Sequence, residues 1–157
     1  MRDDNGSIEI EIDPRHGKVA IVASTYHGDV CGPMTEAAIA TLVDAGVRSS
    51  DIETLQVPGA WELVMGTQAA LGRGGIRGVI AIGCVIRGET THDEHINRAV
   101  SLGLMELQIS HDVPIGFGLL TCNTKDQALE RAGGSVGNKG VECAQALLAM
   151  MQLNAPE

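Results

Sequence analysis

The residues best able to do chemistry lie between Gly78 and Ile96, in the stretch GVIAIGCVIRGETTHDEHI. An uninterrupted apolar run of β-branched and small residues passes into Arg87-Gly88-Glu89-Thr90-Thr91, and apolar residues resume at helical spacing from His92. That order predicts a strand, a loop and a helix. Thr91 followed three residues later by Glu94 has the spacing of a capping box, so the loop would present unpaired backbone N–H groups at a helix N-terminus. Such a terminus favours an anion, and His92 stands one residue inside it. The chemistry implied is phosphate binding beside a group that exchanges protons near neutral pH. Taken alone, the same stretch also fits an ordinary capped helix with a surface histidine, because such caps are common.

A second candidate feature is the scarcity of aromatic residues: Tyr26, Trp61 and Phe117 are the whole set. Each stands at or near a predicted strand end or the loop that follows. Brought together they would form a stacking surface for a planar ring; apart, each fills a packing gap.

The elements that must position these residues follow from periodicity. Residues 8 to 12, IEIEI, alternate apolar and acidic before Asp13-Pro14 and predict a short edge strand. Lys18 to Ser24 predicts a buried strand, and Gly32 to Ala45 a helix with Met34 or Ala45, Ala38 and Leu42 on one face, closed by Gly46. Asp51 to Val57 predicts a strand, Val57-Pro58-Gly59 a tight turn, and Trp61 to Leu71 a helix. After the central strand, a helix from His92 to about Ser110 carries Ile96, Val100, Leu104 and Leu107. Pro114 to Thr121 predicts another buried strand. Thr124 with Gln127 predicts a capped short helix ending at Ala132-Gly133-Gly134, and Asn138 caps a last helix from Lys139 to Met151. Alternation of strands and helices implies a parallel sheet covered on both faces, with the site at the strands' carboxyl ends.

At 157 residues the chain has the size of one domain, taken as 1 to 157 with residues 1 to 16 as an N-terminal arm. A formal charge of -9 argues against broad capture of nucleic acid or an anionic membrane, so an anionic substrate must meet local donors. No apolar run is long enough to span a membrane, and the N-terminus lacks a basic-then-apolar signal pattern, which together suggest a cytoplasmic protein. Cys31, Cys84, Cys122 and Cys143 form no CxxC pair and read as buried thiols, not as a zinc site or disulfide framework.

Four segments in register, VPGAWEL, GCVIRGETTHDEHI, PIGFGLLTCNTKDQALERAG and GNKGVECA, resemble the 6,7-dimethyl-8-ribityllumazine synthase family over roughly residues 18 to 152. The resemblance implies a flavodoxin-like three-layer αβα subunit with a central parallel four-stranded sheet. It implies condensation of 5-amino-6-ribitylamino-pyrimidinedione with 3,4-dihydroxy-2-butanone 4-phosphate, releasing phosphate and water, with no metal and no cofactor. Tyr26 stands where the family places a ring, commonly Phe or Trp, that stacks on the pyrimidine; His27 stands where Asn is common. Ala60, Trp61 and Glu62 match the segment that holds the ribityl chain, and Cys84, Val85 and Ile86 the strand end that contacts the heterocycle. Glu89, Thr90 and Arg131 match the phosphate site. The family usually has a small residue in place of Glu89, so this carboxylate is expected to turn to solvent or pair with a base. His92 matches the proton-transfer residue, although Asp93-Glu94-His95 replaces the family's common aromatic-acid-aromatic run.

The resemblance also implies that Phe117, Arg131, Lys139 and Glu142 reach the site from a neighbouring subunit. A homo-oligomer of pentamers would follow, and the absence of an insertion between Arg131 and Asn138 leans toward an icosahedral shell of sixty subunits. Residues 8 to 12 would add to the neighbour's sheet. A riboflavin synthase is the partner enzyme such a shell implies. Rival readings are a noncatalytic relative that binds ribityl-flavins or only assembles a shell, which His27 and Glu89 keep open, a riboflavin synthase of archaeal type, against which the RGETTH loop and the ERAG arginine argue, and a generic flavodoxin-like binding protein.

Overall fold

The computed structural model describes residues 17 to 155. Four strands, β1 (Lys18–Ser24), β2 (Ile52–Val57), β3 (Ile76–Ile86) and β4 (Ile115–Cys122), pair in parallel in the order β2-β1-β3-β4. Helices α1 (Gly28–Asp44), α2 (Leu63–Leu71), α3 (His92–His111), α4 (Lys125–Glu130) and α5 (Lys139–Leu153) complete the flavodoxin-like arrangement. A ribbon of β5 (Ala132–Gly134) and β6 (Gly137–Asn138) pairs antiparallel between α4 and α5. The residues 8 to 12, predicted as an edge strand, lie outside the described residues.

Burial explains why the central strands read as unbroken apolar runs. β1 and β3 are covered on both faces, so neither face needs polar residues. On one face Ile21, Ile80, Met34, Leu42, Leu147 and Leu148 join the sheet to α1 and α5. On the other, Val22, Val79, Leu63, Val100 and Leu104 join it to α2 and α3. Each fully buried Leu or Ile stabilises by about 1.5–3 kcal/mol, so the two central strands hold the layers together. β4 is an edge strand with Phe117 and Thr121 exposed.

Within one layer, the two helices α1 and α5 approach closely. A Cβ built on Gly140 would overlap the carbonyl oxygen of Met34, so glycine lets α5 lie directly on α1. All four cysteines are buried free thiols. No helix among the described residues is long and apolar enough to cross a membrane.

Three local expectations are corrected. The first helix begins at Gly28 and not Gly32, because His27 adopts a left-handed backbone (φ 54, ψ 50) and its carbonyl accepts from the N–H groups of Val30 and Cys31 at 2.9 Å. Pro33 falls inside the helix, past its first turn, so the helix forgoes one backbone bond there. The Thr91–Glu94 capping box does not form: Thr91 makes no side-chain cap, and Thr90 Oγ1 instead accepts from the His92 N–H at 3.4 Å. The fourth helix stops at Glu130, and Ala132 to Gly134 belong to the β5–β6 ribbon. The other two caps form, with Thr124 Oγ1 accepting from Gln127 N–H at 3.2 Å and Asn138 Oδ1 from Gly140 N–H at 2.8 Å.

Two substitutions test the packing by urea unfolding. Gly140→Ala should cost about 1–3 kcal/mol, because the obstacle is backbone that cannot swing aside; an unchanged midpoint would contradict the close approach. Thr67 is fully buried and its hydroxyl has no hydrogen-bond partner among the described residues. Thr67→Val should therefore leave stability unchanged or raise it by up to about 2 kcal/mol, and a clear loss would mean that the hydroxyl is bonded.

Candidate active site

The strand order reverses between β1 and β3, and the crevice beyond their carboxyl ends is where ligands bind in open parallel sheets. β1 leads into Thr25, Tyr26 and His27. Thr25 N–H donates to Val57 O at 2.8 Å and Tyr26 N–H to Pro58 O at 3.1 Å, which ties this turn to the end of β2. The buried Ser24 hydroxyl donates to Tyr26 O at 3.3 Å. The backbone is thus held while the Tyr26 side chain stays 66% exposed. The His27 ring meets it edge-on, with centroids 4.5 Å apart.

The adjacent turn carries Ala60, Trp61 and Glu62 on a single 3-10 turn. Ala60 is buried, whereas Trp61 is 60% exposed. A Cβ on Gly59 would lie 3.3 Å from Glu62 Oε2, so the carboxylate folds back over a position that glycine leaves open. From β3, Cys84 and Val85 are buried and Ile86 is partly exposed, and Arg87 N–H donates to Cys122 O at 2.8 Å. Glu89, Thr90 and His92 are all exposed at the start of α3. The exposure of Glu89 agrees with a carboxylate turned to solvent. At this edge, then, the chain gathers exposed rings, a backbone-lined strand end, and a loop with a hydroxyl and an imidazole.

Phe117 is not part of that gathering. It pairs with Ala81, which pairs with Val22, so it stands in the middle of β4 and not near its carboxyl end. Ile86 lies roughly 16 Å farther along the strand direction at about 3.3 Å per residue. Of the two arrangements open to the three aromatics, convergence within one subunit is not the one found: Tyr26 and Trp61 lie at the carboxyl edge, and Phe117 lies earlier along β4, 45% exposed.

Phe117 instead lines a cavity of about 310 Å³ with Leu119, Leu120, Thr121, Arg131, Lys139 and Glu142. The β5–β6 ribbon brings the two cations together, since Lys139 N–H donates to Arg131 O at 2.8 Å. Arg131 Nη1 donates to Gln127 O at 3.0 Å, and Lys139 Nζ pairs with Glu142 Oε2 at 3.2 Å. Cys143 Sγ donates to Phe117 O at 3.0 Å, and burial pushes this thiol up to about 11. The Lys139–Glu142 pair leaves Arg131 as the main positive charge of this cavity. Among the described residues no cluster of three or more His, Cys, Asp or Glu side chains could hold a metal ion.

The structure adds residues that sequence reading passes over. Lys125 Nζ donates to Asp29 Oδ1 at 2.6 Å and lies 3.3 Å from His27 Nδ1, linking α4 to the start of α1 beside the site. A signal was available in that Lys125 opens a helix, where the macrodipole disfavours a cation.

Comparison with known proteins is consistent with this geometry. Residues 16–155 match the family model described as 6,7-dimethyl-8-ribityllumazine synthase. A protein of that name from Rhodopirellula baltica is 53% identical over 137 residues, which cover 87% of this chain and 88% of the relative. Its namesake from Phocaeicola vulgatus is 40% identical, with 85% of this chain and 80% of the relative aligned. One from Bacteroides fragilis is 37% identical, with 85% and 94% aligned. The chain therefore belongs to the 6,7-dimethyl-8-ribityllumazine synthase family.

Proposed function

We propose that this chain joins 5-amino-6-ribitylamino-pyrimidinedione to 3,4-dihydroxy-2-butanone 4-phosphate, giving 6,7-dimethyl-8-ribityllumazine, phosphate and water, at a site shared by two subunits. The observation that carries the shared site is the separation just described: one half-site at the carboxyl edge, the other around Phe117 in the middle of an exposed edge strand. Each half lacks what the other holds. The carboxyl edge has the stacking ring, the heterocycle-lining strand end and the imidazole; the β4 cavity has the second ring and two cations.

In this reading Tyr26 stacks on the pyrimidine, and the backbone of Val85 and Ile86 with Cys84 lines its edge. Ala60, Trp61 and Glu62 hold the ribityl chain. Thr90 and the loop N–H groups meet the phosphate together with Arg131 of the adjacent subunit, whose Phe117 closes over the heterocycle. Lys139 and Glu142 approach as a pair, so their charges largely cancel and Arg131 supplies most of the attraction. His92 moves protons as the amine condenses with the ketone and as phosphate departs. Glu89 stays in solvent, away from the phosphate it would repel.

Exposed apolar residues support assembly. Leu102, Met105 and Ile109 recur on one face of α3, with Met65 also exposed on α2. Such a surface suits burial by neighbours, as in a pentamer, and residues 8 to 12 would add to a neighbour's sheet. A shell of twelve pentamers in the cytoplasm, enclosing a riboflavin synthase, is the larger assembly proposed.

The test is to mix protein with both substrates and follow the lumazine and free phosphate together; equal appearance of both above the uncatalysed background supports the reading, and neither rising refutes it. His92→Ala should lower kcat roughly ten- to hundredfold, toward the low end for acid–base residues because water reaches this exposed position, while pyrimidine affinity stays nearly constant. Equal loss of both would make the histidine structural. Arg131→Ala should raise the KM for the butanone phosphate about tenfold or more and leave the pyrimidine unaffected, as expected for losing a charge-assisted pair. An unchanged KM would remove Arg131 from the phosphate site.

A further inference from the structure

The contact between Lys125 and His27 has a chemical consequence at the pyrimidine position. An ammonium can only donate, so the 3.3 Å approach of Lys125 Nζ to His27 Nδ1 requires a lone pair on that nitrogen. The imidazole is then neutral with its proton on Nε2. We propose that Lys125 is a positioning residue that holds His27 as an Nε2–H donor toward a carbonyl oxygen of the planar heterocycle stacked on Tyr26. This rests on the reading of the carboxyl edge as the pyrimidine half-site.

Several independent features hold the arrangement. His27 is anchored by its left-handed backbone and by its carbonyl, which starts α1. Its ring is braced edge-on by Tyr26. Lys125 is itself held by Asp29 at 2.6 Å, so the ammonium is oriented and its charge balanced. The groups around the imidazole come from three elements: Asp29 of α1, Lys125 of α4, and the Tyr26 ring at the end of β1. Below them Cys31 of α1 and Cys84 of β3 are pushed up by burial to about 12 and about 11 and stay neutral thiols. Burial and the Lys125 ammonium lower the His27 pKa from its ordinary 6.5, against the opposing pull of Asp29. A lowered pKa means that the neutral, donor-on-Nε2 form persists to lower pH than for a free histidine.

Without the ammonium, Asp29 becomes the partner available to Nδ1. A carboxylate accepts, so it would draw the proton to Nδ1 and leave Nε2 with a bare lone pair facing the heterocycle carbonyl. Protonation at low pH would restore a proton on both nitrogens and with it the Nε2 donor. The proposal thus predicts that removing Lys125 creates a pH dependence that the native protein does not have.

The experiment measures the dissociation constant of the ribitylamino-pyrimidinedione alone, with intact assembled protein, from about pH 6 to about pH 8. The native protein should bind with an affinity that is flat across this range. Lys125→Met should bind comparably at the acid end and weaken roughly three- to tenfold as pH rises through the His27 pKa, the size of one net hydrogen bond. Lys125→Arg, which can still donate, and the double change Lys125→Met with Asp29→Asn should both restore a flat profile. Flat Lys125→Met binding, whether at native strength or uniformly weakened, would overturn the proposal. If the native protein itself fails to bind the pyrimidine, the functional reading falls and the proposal with it; binding by the native protein with an indifferent Lys125→Met overturns the proposal alone.

Discussion

The pairing of β1 with β3 is the constraint on which the rest depends. Val19 to Ala23 run alongside Gly78 to Ile82, and both strands are buried on both faces. Because neither face is open, helices must cover each, and the two clusters of Ile, Val, Leu, Met and Ala side chains above and below the sheet follow from that requirement. The same pairing sets the exits of the two strands side by side. The Tyr26-His27 turn and the Ile86-Arg87 exit therefore become neighbours, although they lie far apart in sequence. A site at this place is a consequence of topology, and its chemistry comes from what the loops supply.

The edge strand β4 has the complementary part. It forms one edge of the sheet, and exposed Phe117 and Thr121 with buried Leu119 and Leu120 line a cavity together with Arg131, Lys139 and Glu142. The ribbon of β5 and β6 is short, yet it holds Arg131 and Lys139 close through one backbone hydrogen bond at 2.8 Å. Burial of that ribbon's glycines is slight, so its geometry rests on turns and hydrogen bonds. With Lys139 paired to Glu142 at 3.2 Å, Arg131 would be the main source of a local attraction for phosphate in an acidic protein. Assembly and catalysis would then have the same structural origin.

Much of this was legible in the sequence. Uninterrupted apolar runs marked the buried strands, and the Thr124 and Asn138 caps were visible because side-chain acceptors at those positions leave a clear pattern. Sequence order could not show how far Phe117 lies from the carboxyl edge that carries Tyr26, since that depends on the register between β3 and β4. The start of α1 was hidden because the Gly32-Pro33 pair resembles a helix beginning, whereas the left-handed His27 starts it a turn earlier. Thr91 and Glu94 had the spacing of a capping box, but Thr91 lacks the extended backbone that aims a capping side chain at its own helix. Lys125 escaped notice because its partners, His27 and Asp29, are almost a hundred residues away in the chain and meet it only through the stacking of α4 on the start of α1.

The most direct measurement is activity recovered by co-assembling two crippled subunits, His92→Ala and Arg131→Ala, unfolded and refolded together in equal amounts. A site divided between subunits regains both residues wherever an Arg131→Ala carboxyl edge meets a His92→Ala β4 cavity, which is about one quarter of sites under random mixing. Turnover near that fraction of the native value, measured at butanone phosphate well below the native KM where each variant alone is nearly inactive, is the predicted result. Activity no higher than the average of the two separate variants would contradict a shared site and place all of the chemistry within one subunit.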